Sequence, residues 1–291
     1  MAITQLSAAP SLTTLYPKAV LSGLRRKGGD LPDTEYSLAG VRVDPAHLAA
    51  YNRVCGFRLG DELPATYPHL LTFPLQIKLM AAGDFPFPLA GSVHVANRIT
   101  QTRPLRLGDE LELRAHVANL REHPRGKQFD MISQALVGGD VVWTDVSTYL
   151  RRGGGSGSSS ATDSTTDSTT DSTTEQRREP PAPTAVWSVP EDIGRRYGEV
   201  SGDRNPIHLH KLTAKIFGYP RAIAHGMWTK ARCLAAFEGR LPGACTVDVR
   251  FKLPVLLPSK AGFAAFPADD GWRFELFGAR NGKPHLEGTI S

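Results

Sequence analysis

Residues 197–227 read YGEVSGDRNPIHLHKLTAKIFGYPRAIAHGM, and the rest of the chain falls into order around this stretch. Gly202 and Pro206 break regular structure, so Asp203 and His208 are expected on a turn rather than on a helix face. An imidazole titrates near neutral pH, and a neighbouring carboxylate can share or orient its proton, which makes the two a candidate acid/base pair. An Asp and a His this close in a loop are, taken alone, more often structural than catalytic. Asn205 adds an amide able to orient them. Further on, Ile223, Met227, Leu234 and Phe237 recur at helical spacing, so a helix with one buried face is expected over 223–237. Gly226 stands near its start, where a residue without Cβ lets a ligand approach a backbone N–H that can stabilise charge on a carbonyl oxygen. The same glycine would equally serve tight packing of the helix on a sheet, and the sequence leaves both readings open.

Composition changes abruptly at 151–183, where GGGSGSSS is followed by three DSTT units starting at Asp163, Asp167 and Asp171, then by EQRREPPAP. Such a segment buries too little apolar surface to offset its ordering entropy, so a disordered linker is expected. It separates residues 1–150 from 184–291, which look like diverged copies. In one ungapped register Tyr51 falls on Tyr197, Val54 on Val200, Gly56 on Gly202 and Arg58 on Arg204, and Phe57 then takes the place of Asp203. Strands are expected over 92–102, 109–120, 128–137 and 141–150 in the first copy, and over 244–253, 260–266, 272–278 and 284–290 in the second. Ser188-Val189-Pro190 followed by Glu191 and Asp192 predicts a helix start. One helix followed by an antiparallel meander suggests an α+β module whose sheet wraps the helix.

With 291 residues and 41% hydrophobic content the chain can bury a sizeable core, as one large domain or two packed modules. Thirty-four basic residues nearly match twenty-nine acidic ones, and no dense Lys/Arg block appears, which argues against nucleic acid while permitting a phosphorylated carrier. Cys55, Cys233 and Cys245 are odd in number and lack the short spacing of a metal or redox site, so reduced thiols in the cytoplasm are expected. No apolar run approaches the roughly 18 residues of a membrane helix. Residues 1–29 carry Lys18, Arg25, Arg26 and Lys27 without an acid, in the loose manner of a transit peptide, but without cleavage logic they are expected as a surface helix docked on the body. His208 and His210 form an H-x-H pair, yet no third His, Cys or carboxylate stands at a convincing spacing, so no metal is expected.

Tyr197, Ser201, Gly202, Asp203, Asn205, Pro206, Ile207, His208, Ala214, His225, Gly226 and Met227 together resemble the signature of the MaoC-like, (R)-specific enoyl-CoA hydratase family. As a whole the chain resembles that family's two-module 3-hydroxyacyl-thioester dehydratases of mycobacterial type. The resemblance implies a double hot-dog fold with one sheet-wrapped helix per module, and one active site, in the carboxy-terminal copy. The amino-terminal copy, with Phe57 where the acid would be, is implied to accommodate the acyl chain. The implied activity is reversible dehydration of (3R)-hydroxyacyl thioesters of coenzyme A or acyl carrier protein, without a cofactor. It assigns proton transfers around one water to Asp203 and His208, orientation to Asn205, and the thioester oxygen to the Gly226 N–H. Ser201, His225 and Arg250 are expected at the substrate. For His225 the alternative is a helix-start histidine satisfied by backbone. Arg250, Lys252, Arg280 and Lys283 either meet the carrier's phosphates or form ordinary surface, and Phe85-Pro86-Phe87-Pro88 either lines an acyl tunnel or is a rigid apolar loop. The chain is expected as a monomer, itself a pseudo-dimer, or as a homodimer. Two rival readings keep the fold: a non-catalytic thioester-binding scaffold, and a thioester hydrolase.

Overall fold

Alternation of buried and half-exposed residues drives the strands: in β4 (Leu111–His123), Leu111, Leu113, Ala115 and Val117 turn inward while their neighbours face out. The computed structural model describes residues 2–15, 29–88, 91–152 and 179–291. The expected linker lies largely outside the described residues, at 153–178. Of its flanks, Arg151 and Arg152 still belong to β6 (Asp140–Arg152).

Beside these, the first half contains β1 (Ala2–Leu6), β2 (Thr34–Val41), α1 (Pro45–Cys55), α2 (Tyr67–Ala81), β3 (Ser92–Gln101) and β5 (Gly126–Val137). The second contains β7 (Ala185–Val189), α3 (Ile193–Ser201), α4 (Pro206–Leu209), α5 (Lys211–Ile216), α6 (Gly226–Ala235), β8 (Cys245–Phe251), β9 (Ser259–Ala268), β10 (Gly271–Gly278) and β11 (Pro284–Ile290). All strands form one sheet in the order β1-β2-β4-β5-β6-β3-β8-β11-β10-β9-β7. Outward from the β3–β8 junction, the order β3-β6-β5-β4-β2 on one side is repeated by β8-β11-β10-β9-β7 on the other. The two modules are therefore related by a pseudo-twofold axis at that junction, where Asn97 pairs with Val249 and Ile99 with Val247. This is the double hot-dog architecture, α+β, with antiparallel pairing throughout except for β1 against β2.

Each half of the sheet wraps a central helix. In α2 most residues on every side are buried, as a helix enclosed by its own sheet requires, and in α6 Met227, Trp228, Thr229, Lys230, Ala231, Cys233 and Leu234 are buried. Helices α1 and α3 meet across the pseudo-axis, with the rings of Tyr51 and Tyr197 6.4 Å apart. Both end on a left-handed glycine, Gly56 at φ 85° and Gly202 at φ 73°, the two residues that the ungapped register superposes. Trp228 Nε1 donates to Val54 O at 3.1 Å, and one apolar cluster runs through both modules.

Two expectations fail locally. Ser188 and Val189, expected at a helix start, instead end strand β7, whose Trp187 stacks on Phe263 of β9 at 4.8 Å; α3 begins at Ile193, with Asp192 at its N-cap position. Pairing with the open edge of β9 satisfies the backbone there better than an isolated turn would. The expected amino-terminal surface helix is found only in part: Ala2–Leu6 is a strand parallel to β2, residues 12–15 are helical, and residues 16–28 lie outside the described part. No helix among the described residues is long and apolar enough to cross a membrane.

Candidate active site

The site begins where α3 ends. After Gly202 the chain folds back through short-range bonds: Asp203 N–H donates to Ser201 Oγ at 3.1 Å, and Asn205 N–H donates to Asp203 Oδ1 at 3.1 Å. Asn205 Oδ1 accepts from Ile207 N–H at 3.3 Å and caps α4, with Pro206 at its first position. His208 thus sits in a one-turn helix rather than in a turn as expected, because the Asn-Pro pair that breaks the preceding structure also starts a new one. Its Nδ1 donates to Ile223 O at 2.8 Å, which fixes the tautomer and leaves Nε2 as the bare ring nitrogen.

Two glycines of α3 seat this loop. A Cβ on Gly194 would lie 2.0 Å from His208 O, and one on Gly198 would lie 2.9 Å from Asp203 O. Residues four apart share a helix face, so this face of α3 carries no side chain where the backbones of both dyad members press against it.

His225 closes the cluster from the start of α6. Its Nε2 donates to Asp203 O at 3.0 Å and lies 3.7 Å from Asp203 Oδ2, and its ring stacks on His208 with centroids 3.6 Å apart. The expected backbone partner is therefore present, and so is contact with the dyad. Burial pushes both imidazoles below the ordinary histidine value of 6.5; Asp203 opposes the shift at each, while at His225, which falls to about 3, His208 adds to it. Both rings are neutral at pH 7. An unfolded chain binds protons at these residues from about pH 6.5 downward and the folded chain does not, so stability rises with pH through that window and is lost as pH falls from 6.5 toward 3. The urea midpoint is expected to drop steadily across it, and less steeply in His225→Phe; a midpoint flat down to about pH 4 would contradict the buried neutral pair.

Donor atoms of Asp203, His208 and His225 lie within 4.8 Å of one another. His210 of the H-x-H pair is not part of this group: its Nδ1 accepts from Leu212 N–H at 3.2 Å at the start of α5. Rings stacked within 27° of parallel aim their in-plane lone pairs side by side rather than at one point, and His225 Nε2 is engaged with Asp203 O. The arrangement suits proton transfer better than coordination.

Gly226 opens α6, and His225, its N-cap, makes no side-chain cap bond. The first-turn N–H groups, which have no partner within a helix, are left without that substitute. A Cβ at Gly226 would stand 3.2 Å from the Phe251 ring, so close packing and donor exposure both bear on this residue. Ser201 is buried beneath the Asp203 turn. Arg250 is not brought to the cluster: successive strand residues face opposite sides, and Arg250 is exposed on the face away from Val249 and Phe251.

The sequence profile of the MaoC-like domain matches residues 167–270. Over 260 residues the chain is 40% identical to 3-hydroxyacyl-thioester dehydratase X of Mycobacterium tuberculosis, covering 89% of this chain and 90% of that one. The chain belongs to the MaoC-like dehydratase family. The crystal structure of HtdX from the same organism is similar with a TM-score of 0.75 at 39% identity, covering 88% of this chain and 98% of that one. A MaoC-like dehydratase from Phytophthora capsici shares the fold at a TM-score of 0.68 and 17% identity, covering 94% and 97%. The 3-hydroxybutyryl-CoA dehydratase of Methylorubrum extorquens is 36% identical over 66 residues, 23% of this chain and 42% of that one. Within this MaoC-like chain the sequence did not indicate Gly194 and Gly198 as seats for the dyad; their spacing of four on a helix was the available signal. Nothing local marks the stack of His225 on His208.

Proposed function

We propose that the chain catalyses the reversible dehydration of (3R)-hydroxyacyl thioesters to trans-2-enoyl thioesters, carried by coenzyme A or acyl carrier protein, in fatty acid metabolism. The observation that carries this reading is the meeting of Asp203 and His208, with Nδ1 of the histidine anchored on Ile223 O, beside the uncapped start of α6. The C2–H of a thioester is weakly acidic, so its removal needs a fixed base and a donor for the oxygen that gains charge. In dehydration the C2 proton passes to the dyad, its electron pair becomes the C2=C3 bond, and the C3–O bond breaks as that oxygen takes the same proton back from the dyad and leaves as water. One transferable proton shared by the pair is enough, and hydration reverses the roles. Nε2 is the ring nitrogen of His208 free for this exchange, Asn205 fixes the loop, Ser201 holds the Asp203 turn beneath the substrate, and the Gly226 N–H meets the thioester oxygen. His225 keeps the dyad dry and aligned at the same boundary.

A row of rings supports an acyl-binding role for the first module, residues 1–150, joined through 151–183 to the catalytic module, 184–291. From Phe251 at Gly226 it runs through His94 at 4.9 Å, Tyr149 at 4.8 Å and Phe129 at 5.5 Å to Phe87 at 5.6 Å. Phe57, in the place of the acid, stacks on Tyr51 at 6.2 Å. A cytoplasmic location fits the three free, buried cysteines, and the fused modules act as a monomer or pair with a second copy.

The test follows loss of enoyl absorbance on adding trans-2-enoyl-CoA while free thiol is titrated in parallel. Hydration without thiol release is expected. Thiol release would make the chain a hydrolase, and binding without turnover a scaffold.

A further inference from the structure

At the junction of the two modules, outside the acid/base cluster, lies a chain of fully buried polar groups that the reaction scheme leaves unused. Lys230, on α6 one turn after Gly226, is 0% exposed, as are Asn97 and Asp145. Its Nζ donates to Asn97 Oδ1 at 2.5 Å, to Asn97 O at 3.1 Å and to Val247 O at 3.0 Å, so each ammonium proton has an acceptor. Asn97 belongs to β3 and Val247 to β8, the strands that join the modules. Asn97 Nδ2 donates in turn to Asp145 Oδ1 at 2.8 Å and to Ser147 Oγ at 3.0 Å, and Ser147 Oγ donates to the same carboxylate oxygen at 2.8 Å. His69 of α2 meets the other oxygen of Asp145 at 2.8 Å. The network thus ties the central helix of each module to the seam between them.

Stability is a poor reason for such a network. Taking an ammonium and a carboxylate out of water costs much of what their attraction returns, and apolar groups of similar volume often hold such a place equally well. Position offers a better one. Helix side chains lean toward the amino-terminus, and residues four apart share a face, so Lys230 anchors the turn that begins at Gly226.

We propose that Lys230 is a positioning residue for the reaction: bound to Asn97 across the seam, it holds the first turn of α6 in place and, when protonated, sets a positive charge behind the Gly226 N–H. That charge opposes the negative charge that grows on the thioester oxygen. The inference rests on Gly226 being the donor to that oxygen.

The groups whose charge bears on Lys230 are Asp145 on β6, Cys245 on β8, His94 on β3 and, through Asp145, His69 on α2; Asp248, on the outward parity of β8 and paired with Arg98, acts from the other face of the strand. Burial pulls the Lys230 pKa down to about 7, and Asp145 is the strongest group holding it up. The shift of His208 comes from burial, Asp203 and Ile223, and that of His225 from burial, His208 and Asp203, neither with a part from Asp145. A change in the pH profile caused by substituting Asp145 therefore arises in the buried network of Lys230, His69 and His94 rather than at the dyad, and His94, which falls to about 3, is neutral across the neutral and alkaline range.

The experiment measures kcat and KM for hydration of trans-2-enoyl-CoA by the full chain across neutral and alkaline pH. Lys230→Met is expected to lower kcat by about 10- to 100-fold with KM changed by no more than about 2-fold. Asp145→Asn, nearly isosteric, is expected to move the alkaline fall of kcat to lower pH. A Lys230→Met protein with wild-type kcat, or one that loses only KM, overturns the proposal. So does an Asp145→Asn profile that does not move, and this variant decides alone if Lys230→Met does not fold. A wild-type chain with no hydration would strike the proposed function instead; an active wild type with indifferent variants strikes only Lys230.

Discussion

Asp203→Asn and His208→Ala are each expected to lower the turnover of trans-2-enoyl-CoA hydration by at least about 100-fold while the protein remains folded. The two substitutions act differently, which makes the pair informative. Asp203→Asn keeps an oxygen able to accept the Asn205 N–H, so the turn after α3 survives and only the charge and the proton-carrying oxygen are lost. Asp203 is also the group that most strongly favours the protonated form of His208, so in this variant the histidine titrates at still lower pH, a shift that ring-proton NMR reads directly. His208→Ala removes the bare Nε2 and leaves the buried Ile223 O without its donor, a loss of about 1–3 kcal/mol in stability that a small domain survives. Circular dichroism on both variants separates lost chemistry from lost structure. Wild-type rates in both would end the assignment of the dyad.

What the sequence made legible and what it did not divide along a physical line. Strands whose alternation is clean were readable within a few residues, and β11 matches its expected bounds of 284–290 because Pro284 opens it and every second residue turns inward. Local chemistry also disclosed residues of the motif, since Ser201, Asp203 and Asn205 bond to their near neighbours, whereas His208 is anchored on Ile223, fifteen residues on. It misled at Ser188-Val189-Pro190, where good cap chemistry lost to pairing with β9, a partner some seventy residues away. Helix α2 shows no stripe to find: it is buried nearly all round and carries Pro68 and Pro74. Arg250 stands apart from the cluster by strand parity, because one residue either way along β8 would have turned it inward. The stack of His225 on His208 and the grip of Lys230 on Asn97 join residues whose meeting depends on the fold, which no local pattern encodes.

Gly194→Ala is expected to cost nearly as much activity as losing a member of the dyad, although Gly194 meets no substrate. Its Cβ would stand 2.0 Å from the carbonyl oxygen of His208, and that obstacle is backbone, not the yielding end of a side chain. Either α3 or α4 must move by about 1 Å or more, and displacement on that scale typically costs about 100-fold in rate. On stability two effects compete. Alanine in a helix is favoured over glycine by about 1 kcal/mol, whereas overpacking a close contact costs about 1–3 kcal/mol. Overpacking wins here because α4 is pinned on its far side, His208 Nδ1 to Ile223 O, and the ring is held against His225. Gly198→Ala, at 2.9 Å from Asp203 O, is expected to be milder in both respects, and Gly60→Ala, with nothing within 4 Å, to be silent. Measured kcat/KM and Tm should therefore rank Gly60→Ala above Gly198→Ala above Gly194→Ala; a fully active Gly194→Ala would mean that the backbone of His208 is not seated on α3, and the geometry of the dyad would lose its support.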